Sequence, residues 1–318
     1  MPIEQRVLGK TNLQVSILGL GAGGNSRLGL SRGQSEAHAA DVVRAALDMG
    51  VTLIDTARVY GTESAVGQAL RGHRRDGVVL SSKSPYRGED ERLLTPQAFA
   101  ENLDASLRNL GVETIDIYFI HGLTLPYYAA AREAFLPVLE QARQAGKIRF
   151  VGVTEAFERD TRHEMLQQAV HDDGWDVMMV GFNLLNPSAR ERVLAFTLQR
   201  GIGTLGMFAV RRGLIDESLL RVLLQRLADQ GEVDPSLAAA PDLMERLSLT
   251  GVSRSLSEAA YRFCAYEPGM DAVLSGTSSA EHLRENLESV GRGPLPQPTL
   301  ARLKELFGRV DSLSGQVR

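Results

Sequence analysis

Four side chains within the first 121 positions are of the types that move a proton beside a reacting carbonyl or alcohol: Asp55, Tyr60, Lys83 and His121. Each stands at or just beyond the end of a short apolar run. VTLIDT carries Asp55, with Tyr60 shortly after it, GVVLSSK ends on Lys83 and IDIYFIH ends on His121. Alternate residues of a strand point to one side, so polar residues ending parallel strands converge over a common mouth. Convergence changes proton affinity. A tyrosine beside Lys⁺ yields its phenolic proton more readily than at its reference pKa of about 10, and a carboxylate beside the lysine keeps that lysine charged. Taken singly, each residue has a plainer reading: a helix cap, a loop aromatic, a surface charge, a satisfied rim histidine. Four in register with their strands point to a site.

The elements that must position them alternate along the chain. Runs at 15–21, 51–56, 77–83, 115–121, 147–153, 175–183, 203–209 and 271–276 predict eight strands, separated by segments with helical apolar spacing. Such alternation makes a parallel sheet, and eight is the number that closes it into a (β/α)8 TIM barrel. The expected fold class is α/β, with residues 1–318 as one barrel domain. Helix punctuation agrees: Thr95 caps a helix opened by Pro96 and stopped at Gly111, Asn186-Pro187 opens one ending at Gly201, and Ser278 with Glu281 reads as a capping box. Residues 3–14 predict an N-terminal hairpin, and 213–250 a helical insertion after strand seven. That insertion is read either as a substrate wall or lid, or as a packing element or oligomer contact; both readings stay open.

Gly19-x-Gly21-x-x-Gly24 matches a dinucleotide fingerprint, but Asn25 to Gln34 separate it from the next helical pattern. A Rossmann unit starts its helix inside the glycine turn. The glycines are expected instead to let a barrel loop pass close to a ligand, with Gly21 and Ala22 beside it.

Composition narrows the function classes. A net charge of −4 and a pI near 5.9 argue against a broad nucleic-acid-binding face. The basic run Arg71 to Arg75 reads as a solvated helix end. No stretch approaches the roughly 18 apolar residues of a membrane span, and the N-terminal residues show no apolar targeting segment, so a cytoplasmic location without membrane partners is expected. The single cysteine, Cys264, excludes internal disulfides and reads as a packing residue. His38, His73, His163 and His171 lack metal-ligand spacing, so no metal is expected; Trp175 reads as packing.

At its candidate residues the chain resembles the aldo-keto reductase family. LIDTARVYG (53–61) is similar to the family's Asp and Tyr segment, SSK (81–83) to its lysine segment and IDIYFIHG (115–122) to its histidine segment. The likeness extends to RVLGKTNLQVSILGLG at the start and MDAVLSGTSSAEHLRENL (270–287) near the end, while MFAVRRGL (207–214) resembles the aldose and sugar-lactone dehydrogenase branch. The resemblance implies an NAD(P)-dependent oxidoreductase acting on a small carbonyl or sugar, a monomer or small homo-oligomer. It implies Tyr60 as general acid and base, Lys83 paired with Asp55 to lower the phenol's pKa, and His121 to orient the substrate oxygen.

It also implies cofactor contacts, some altered. Where the family has Ser-Asn after strand five and Gln in strand six, this chain has Thr154-Glu155 and Met179; the aromatic beneath the nicotinamide is replaced by Met207 with Phe208 adjacent. Glu155 is expected to accept a hydrogen bond from the carboxamide. Gly276, Thr277, His282, Glu285 and Asn286 match the adenine end. The cations of strictly NADPH-preferring relatives are missing at Gly276 and His282, so NAD is expected to serve at least as well as NADP, unless Arg211 or Arg212 reaches the 2′-phosphate. These departures also keep a second reading open, a cofactor-binding barrel with vestigial activity that acts as a sensor or partner-binding module.

Overall fold

In the computed structural model, which describes residues 3–73 and 75–316, ten strands organise the chain. β1 (Gln5–Val7) and β2 (Gln14–Ser16) pair antiparallel as the expected hairpin. The other eight are β3 (Leu18–Gly21), β4 (Leu53–Asp55), β5 (Val79–Pro85), β6 (Ile115–Leu123), β7 (Ile148–Glu155), β8 (Val177–Gly181), β9 (Gly203–Met207) and β10 (Ala272–Ser275). They close in sequence order into a parallel barrel, β10 returning to β3. One boundary differs from the sequence reading. Val15 and Ser16 belong to the hairpin, because Ser16 bonds through its amide to Thr52 Oγ1 (2.7 Å) and through Oγ to the Leu18 carbonyl (2.8 Å), which ends one strand before the next begins.

Two apolar layers follow from strand parity. Leu53, Val79, Ile117, Phe119, Val177, Met179, Leu205 and Ala272 fill the barrel, with Leu8, Leu13 and Val15 of the hairpin region in the same cluster. The alternate residues, such as Ile54, Leu80, Tyr118, Val153 and Met178, face the helices. On β4, β5 and β6 the inward residues are therefore the odd-numbered ones, which aims Asp55, Lys83 and His121 at the interior. On β7 parity is reversed, since Phe150 packs with the inner cluster while Val151 and Val153 pack outside.

Helix boundaries obey their capping chemistry. Thr95 Oγ1 accepts from the Ala98 amide (3.2 Å), Pro96 opens the helix Pro96–Leu110, and Gly111 ends it in a left-handed conformation (φ 65°). The helix expected after Asn186-Pro187 begins as a π-turn, Arg190–Leu194, and continues as Ala195–Arg200. Near the C-terminus the cap is Ser279 rather than Ser278: its Oγ accepts from the His282 amide (3.3 Å), because Thr277 Oγ1 holds the Ser279 amide (3.1 Å) and keeps the chain extended one residue longer.

The insertion forms helices Glu217–Asp229, Pro235–Ala238 and Leu243–Arg246, and the first buries Leu220, Leu223, Leu224 and Leu227. Thr299 and Arg302 of the helix Gln297–Phe307 donate to the carbonyls of Ser248 and Arg246. Arg75, read as a solvated helix end, is instead a tie: it pairs with the buried Asp116 of β6 (2.6 Å), which also takes Arg149 (2.7 Å). Arg74 lies outside the described residues. Cys264 is buried in the helix Leu256–Ala265, and Trp175 is buried with its indole N–H donating to Tyr128 Oη (3.1 Å). No described helix is long and apolar enough to cross a membrane, and no metal-holding cluster of His, Cys, Asp or Glu occurs among the described residues.

Candidate active site

The four residues singled out by type and spacing meet at the C-terminal mouth of the barrel. Lys83 is wholly buried, and its ammonium donates to both oxygens of Asp55 (2.6 and 2.7 Å) and to the Thr56 carbonyl (2.7 Å). Ser81, one inward position earlier on β5, donates to the same carboxylate (2.6 Å). The ammonium thus donates three hydrogen bonds and the carboxylate accepts three, although both have left water, which is what makes a buried pair tolerable. Tyr60 sits on the short turn Arg58–Tyr60 after β4, with the Lys83 ammonium 5.2 Å from its ring centroid. Its Oη lies 3.3 Å from His121 Nε2, and the two rings meet edge-on at 86°.

Burial sets the charge states. It pushes the Tyr60 phenol above its ordinary value, with the positive charge of Lys83 pulling the other way, so the expected lowering by Lys83 is present but outweighed. The His121 imidazole is pushed down to about 3, first by burial and then by Lys83. Near neutral pH the mouth therefore holds a protonated phenol and a neutral imidazole.

Loop closeness fixes the phenol's place. Gly23, in the loop after β3, has no room for a side chain, since a Cβ there would stand 2.4 Å from Tyr60 Cε2. The sequence led to the expectation that Gly19, Gly21 and Gly24 bring the loop close to a ligand; the close approach seen here is instead that of Gly23 to the Tyr60 ring. The helix after this loop starts only at Glu36, which removes the Rossmann reading.

A groove of about 650 Å³ runs from Tyr60 across the mouth to the helix Ala280–Val290. Of the sequence-selected positions, Gly21, Asp55, Met179, Met207, Phe208, Arg211, Arg212, Gly276, Thr277, His282, Glu285 and Asn286 line it. Asn286 also donates to Ser275 Oγ (3.0 Å). Ala22, Thr154 and Glu155 do not line it, nor do Lys83 and His121, which lie behind Tyr60 and Asp55. Ala22 turns its amide to the Asp55 carbonyl (2.7 Å), and Thr154 Oγ1 accepts from the Gly122 amide (2.7 Å). Glu155 faces the helix layer: its carboxylate takes His163 Nδ1 on both oxygens (3.0 Å each) and the Gly181 amide (2.7 Å). The expected carboxamide contact from Glu155 is thus replaced by an internal one. Burial raises this carboxyl above its ordinary value, with His163 opposing. Strand parity carried the signal, because Thr154 is the inward residue of β7.

Other lining residues escaped the sequence reading. Asn25, Ser26 and Arg32 come from the loop after β3, and Gln316 from the C-terminal segment. That segment is held by buried asparagines, Asn186 donating to the Leu313 carbonyl (2.9 Å) and Asn183 to the Ser314 carbonyl (3.1 Å). No periodicity announces it. Of the insertion at 213–250, Ile215 alone lines the groove among the described residues, beside Val210, Arg211 and Arg212 that precede it. Tyr128 is a packing residue, buried and donating to Asp172 (2.7 Å).

The groove has the features a dinucleotide needs. Glycines at 21 and 276 leave its floor bare, the Phe208 ring offers an apolar face, and Arg211 stacks on that ring (4.0 Å to the centroid) with a buried Nε that has no partner. A capped helix N-terminus at Ser279 favours an anion.

Comparison with known proteins places this geometry. The model of the aldo/keto reductase family matches residues 18–307. Aldo-keto reductase YhdN of Bacillus subtilis is 27% identical over 306 residues, covering 91% of this chain and 89% of that protein. L-galactose dehydrogenase of Arabidopsis thaliana is 26% identical over 327 residues, covering 98% and 97%. The holo form of aldo-keto reductase AKR11C1 from Bacillus halodurans superposes with a TM-score of 0.74 at 22% identity, covering 98% of each chain. With a match across nearly the whole barrel, the chain belongs to the aldo/keto reductase family.

Proposed function

We propose that the protein is an NAD(P)-dependent oxidoreductase that interconverts a small carbonyl compound and its alcohol, with Tyr60 as the general acid and base. The observation that carries this reading is the phenol of Tyr60 held between the neutral His121 imidazole and the Lys83–Asp55 pair. A bound reduced nicotinamide supplies the hydride. Tyr60 gives its proton to the carbonyl oxygen as negative charge develops there, and takes it back in the oxidative direction. The Lys83 charge makes a transient phenolate less costly, while Asp55 keeps Lys83 charged and in place. His121, neutral, orients the substrate oxygen beside the phenol. Phe208, Met179, Gly276, Thr277 and Asn286 would hold the cofactor, and the whole chain would work as one barrel domain in the cytoplasm, as a monomer or small homo-oligomer.

Support for NAD serving at least as well as NADP comes from the adenine end of the groove, which offers Gly276 and His282 rather than fixed cations, and from the engagement of Arg211 with Glu158. Absorbance of the reduced cofactor, followed over a panel of aldehydes, ketones, sugars and alcohols, tests the proposal. Turnover with NAD at least equal to that with NADP near pH 7.5 is expected; a preference for NADP above about tenfold, or about 1.4 kcal/mol, would assign the 2′-phosphate to Arg211 or Arg212. Tight cofactor binding with no turnover on any compound would favour the cofactor-binding module instead.

A further inference from the structure

Behind the barrel wall, a column of stacked groups leads from a buried ion pair to the groove. Glu155, the last residue of β7, is fully turned outward, with both oxygens on His163 Nδ1 and one on the Gly181 amide. The His163 ring lies nearly parallel to Phe157 (centroids 5.2 Å, 14°), and Phe157 nearly parallel to Phe208 (6.2 Å, 17°). Arg211 lies over the Phe208 ring and pairs with Glu158, so the column starts on a carboxylate at the end of β7 and ends on one in the loop that follows. Only Phe208 and Arg211 of this set line the groove.

Three features show that the column is held in place rather than merely accommodated. His163 and Phe208 both adopt left-handed backbone conformations (φ 61° and 66°), which non-glycine residues keep only where their surroundings over-determine them. Gly181 leaves the space that Phe157 occupies: a Cβ there would stand 2.2 Å from the ring. His163 is wholly buried with Nε2 unpartnered, so its contact with Glu155 is the one side-chain hydrogen bond the ring makes among the described residues.

Resting on the oxidoreductase reading above, we infer that Glu155, His163 and Phe157 are positioning residues that act through Phe208, fixing from outside the barrel the ring against which a bound dinucleotide packs. At the β7 end Thr154 Oγ1 accepts from the Gly122 amide and Glu155 faces away, and neither lines the groove. The column supplies rigidity in their place. Its long axis runs through aromatic faces, which resist sliding because offset and parallel arrangements are the favoured ones. Glu155 is the anchor because it joins two strand ends and a helix-layer histidine in a single carboxylate.

The test is a double-mutant cycle read by cofactor binding, using the emission of NADH and NADPH on titration, with thermal melting measured alongside. His163→Leu and Phe157→Leu are each expected to weaken binding about tenfold. In a Phe208→Leu background the same substitutions should weaken it by less than about twofold, while their effect on melting persists. Glu155→Gln, which keeps an acceptor for Gly181 and offers an amide to His163, should bind within about twofold of wild type, whereas Glu155→Ala should not. Equal losses of affinity with and without Phe208, or a drop in melting temperature with binding unchanged, would overturn the inference and leave the column a packing element. Should His163→Leu fail to fold, Phe157→Leu keeps the ion pair and decides the question. A wild type that binds cofactor but turns nothing over would sink the proposed activity and leave this inference standing.

Discussion

Both oxygens of Asp55 lie against the Lys83 ammonium, at 2.6 and 2.7 Å, and neither partner has appreciable access to water. Removing one strands the other. Lys83→Met is expected to cost about 3–5 kcal/mol of stability, because it leaves a buried carboxylate without its cation. It should also lower kcat/KM by about a hundred- to ten-thousandfold. Adding Asp55→Asn should restore most of the stability, measured by urea unfolding, without restoring turnover. Turnover that returned with stability would reduce Lys83 to a structural residue.

The contact between Gly23 and the Tyr60 ring gives a second test. Gly23→Ala places a methyl 2.4 Å from Cε2, so the phenol or the loop must move. A displacement of that size at a reacting group is expected to lower kcat by about a hundredfold. Gly24→Ala is the control, since its Cβ would meet nothing within 4 Å, and it should cost only the strain of a left-handed alanine, about 1 kcal/mol. Equal kcat in the two variants would show that the close approach does not place Tyr60.

The barrel was legible because short apolar runs alternate with helical spacing, and because Asp55, Lys83 and His121 lie at or within two residues of the ends of strands whose parity is uniform across β4, β5 and β6. Glu155 shows where that reading stops. Its place after Thr154 suggested a pocket contact, while the inward-facing Phe150 on β7 already put it on the outer face. Ser279 rather than Ser278 caps its helix because of a one-residue extension held by Thr277, a local bond no periodicity reveals. Gln316 reaches the groove on a segment that Asn183 and Asn186 hold, and these lie about 130 residues earlier in the chain. Contacts of that separation have no signature in a single sequence.

His121 makes a prediction about pH. With its imidazole pushed down to about 3, it stays neutral throughout the range where histidines ordinarily titrate. The profile of kcat/KM for carbonyl reduction should therefore be flat from about pH 5 to 8, and should fall only at alkaline pH as Tyr60, raised by burial, loses its proton. An ionisation near pH 6.5 that disappears in His121→Asn would contradict the neutral assignment.

At the opposite end of the barrel, Asp271 accepts from the amides of Gly9 (3.1 Å) and Thr204 (2.9 Å), and burial raises its carboxyl from 3.8 to about 6. The folded protein keeps this proton where the unfolded chain has released it, so between about pH 4 and 6 the folded state binds more protons. Stability from this group is present below that window and lost as pH rises through it. Asp271→Asn cannot ionise, and should flatten the stability profile by on the order of 2 kcal/mol across the window. Urea unfolding at several pH values measures it; an unchanged slope would remove Asp271 as the cause.

Tyr60→Phe isolates proton transfer by the phenol, since it deletes one oxygen from a ring whose position is set by Gly23 and His121. Steady-state turnover of the best carbonyl substrate is measured for the variant beside the affinity for reduced cofactor. With proton transfer by the phenol, kcat falls by about a thousandfold or more while the cofactor dissociation constant stays within about twofold. A variant that binds cofactor normally and retains wild-type kcat would contradict it.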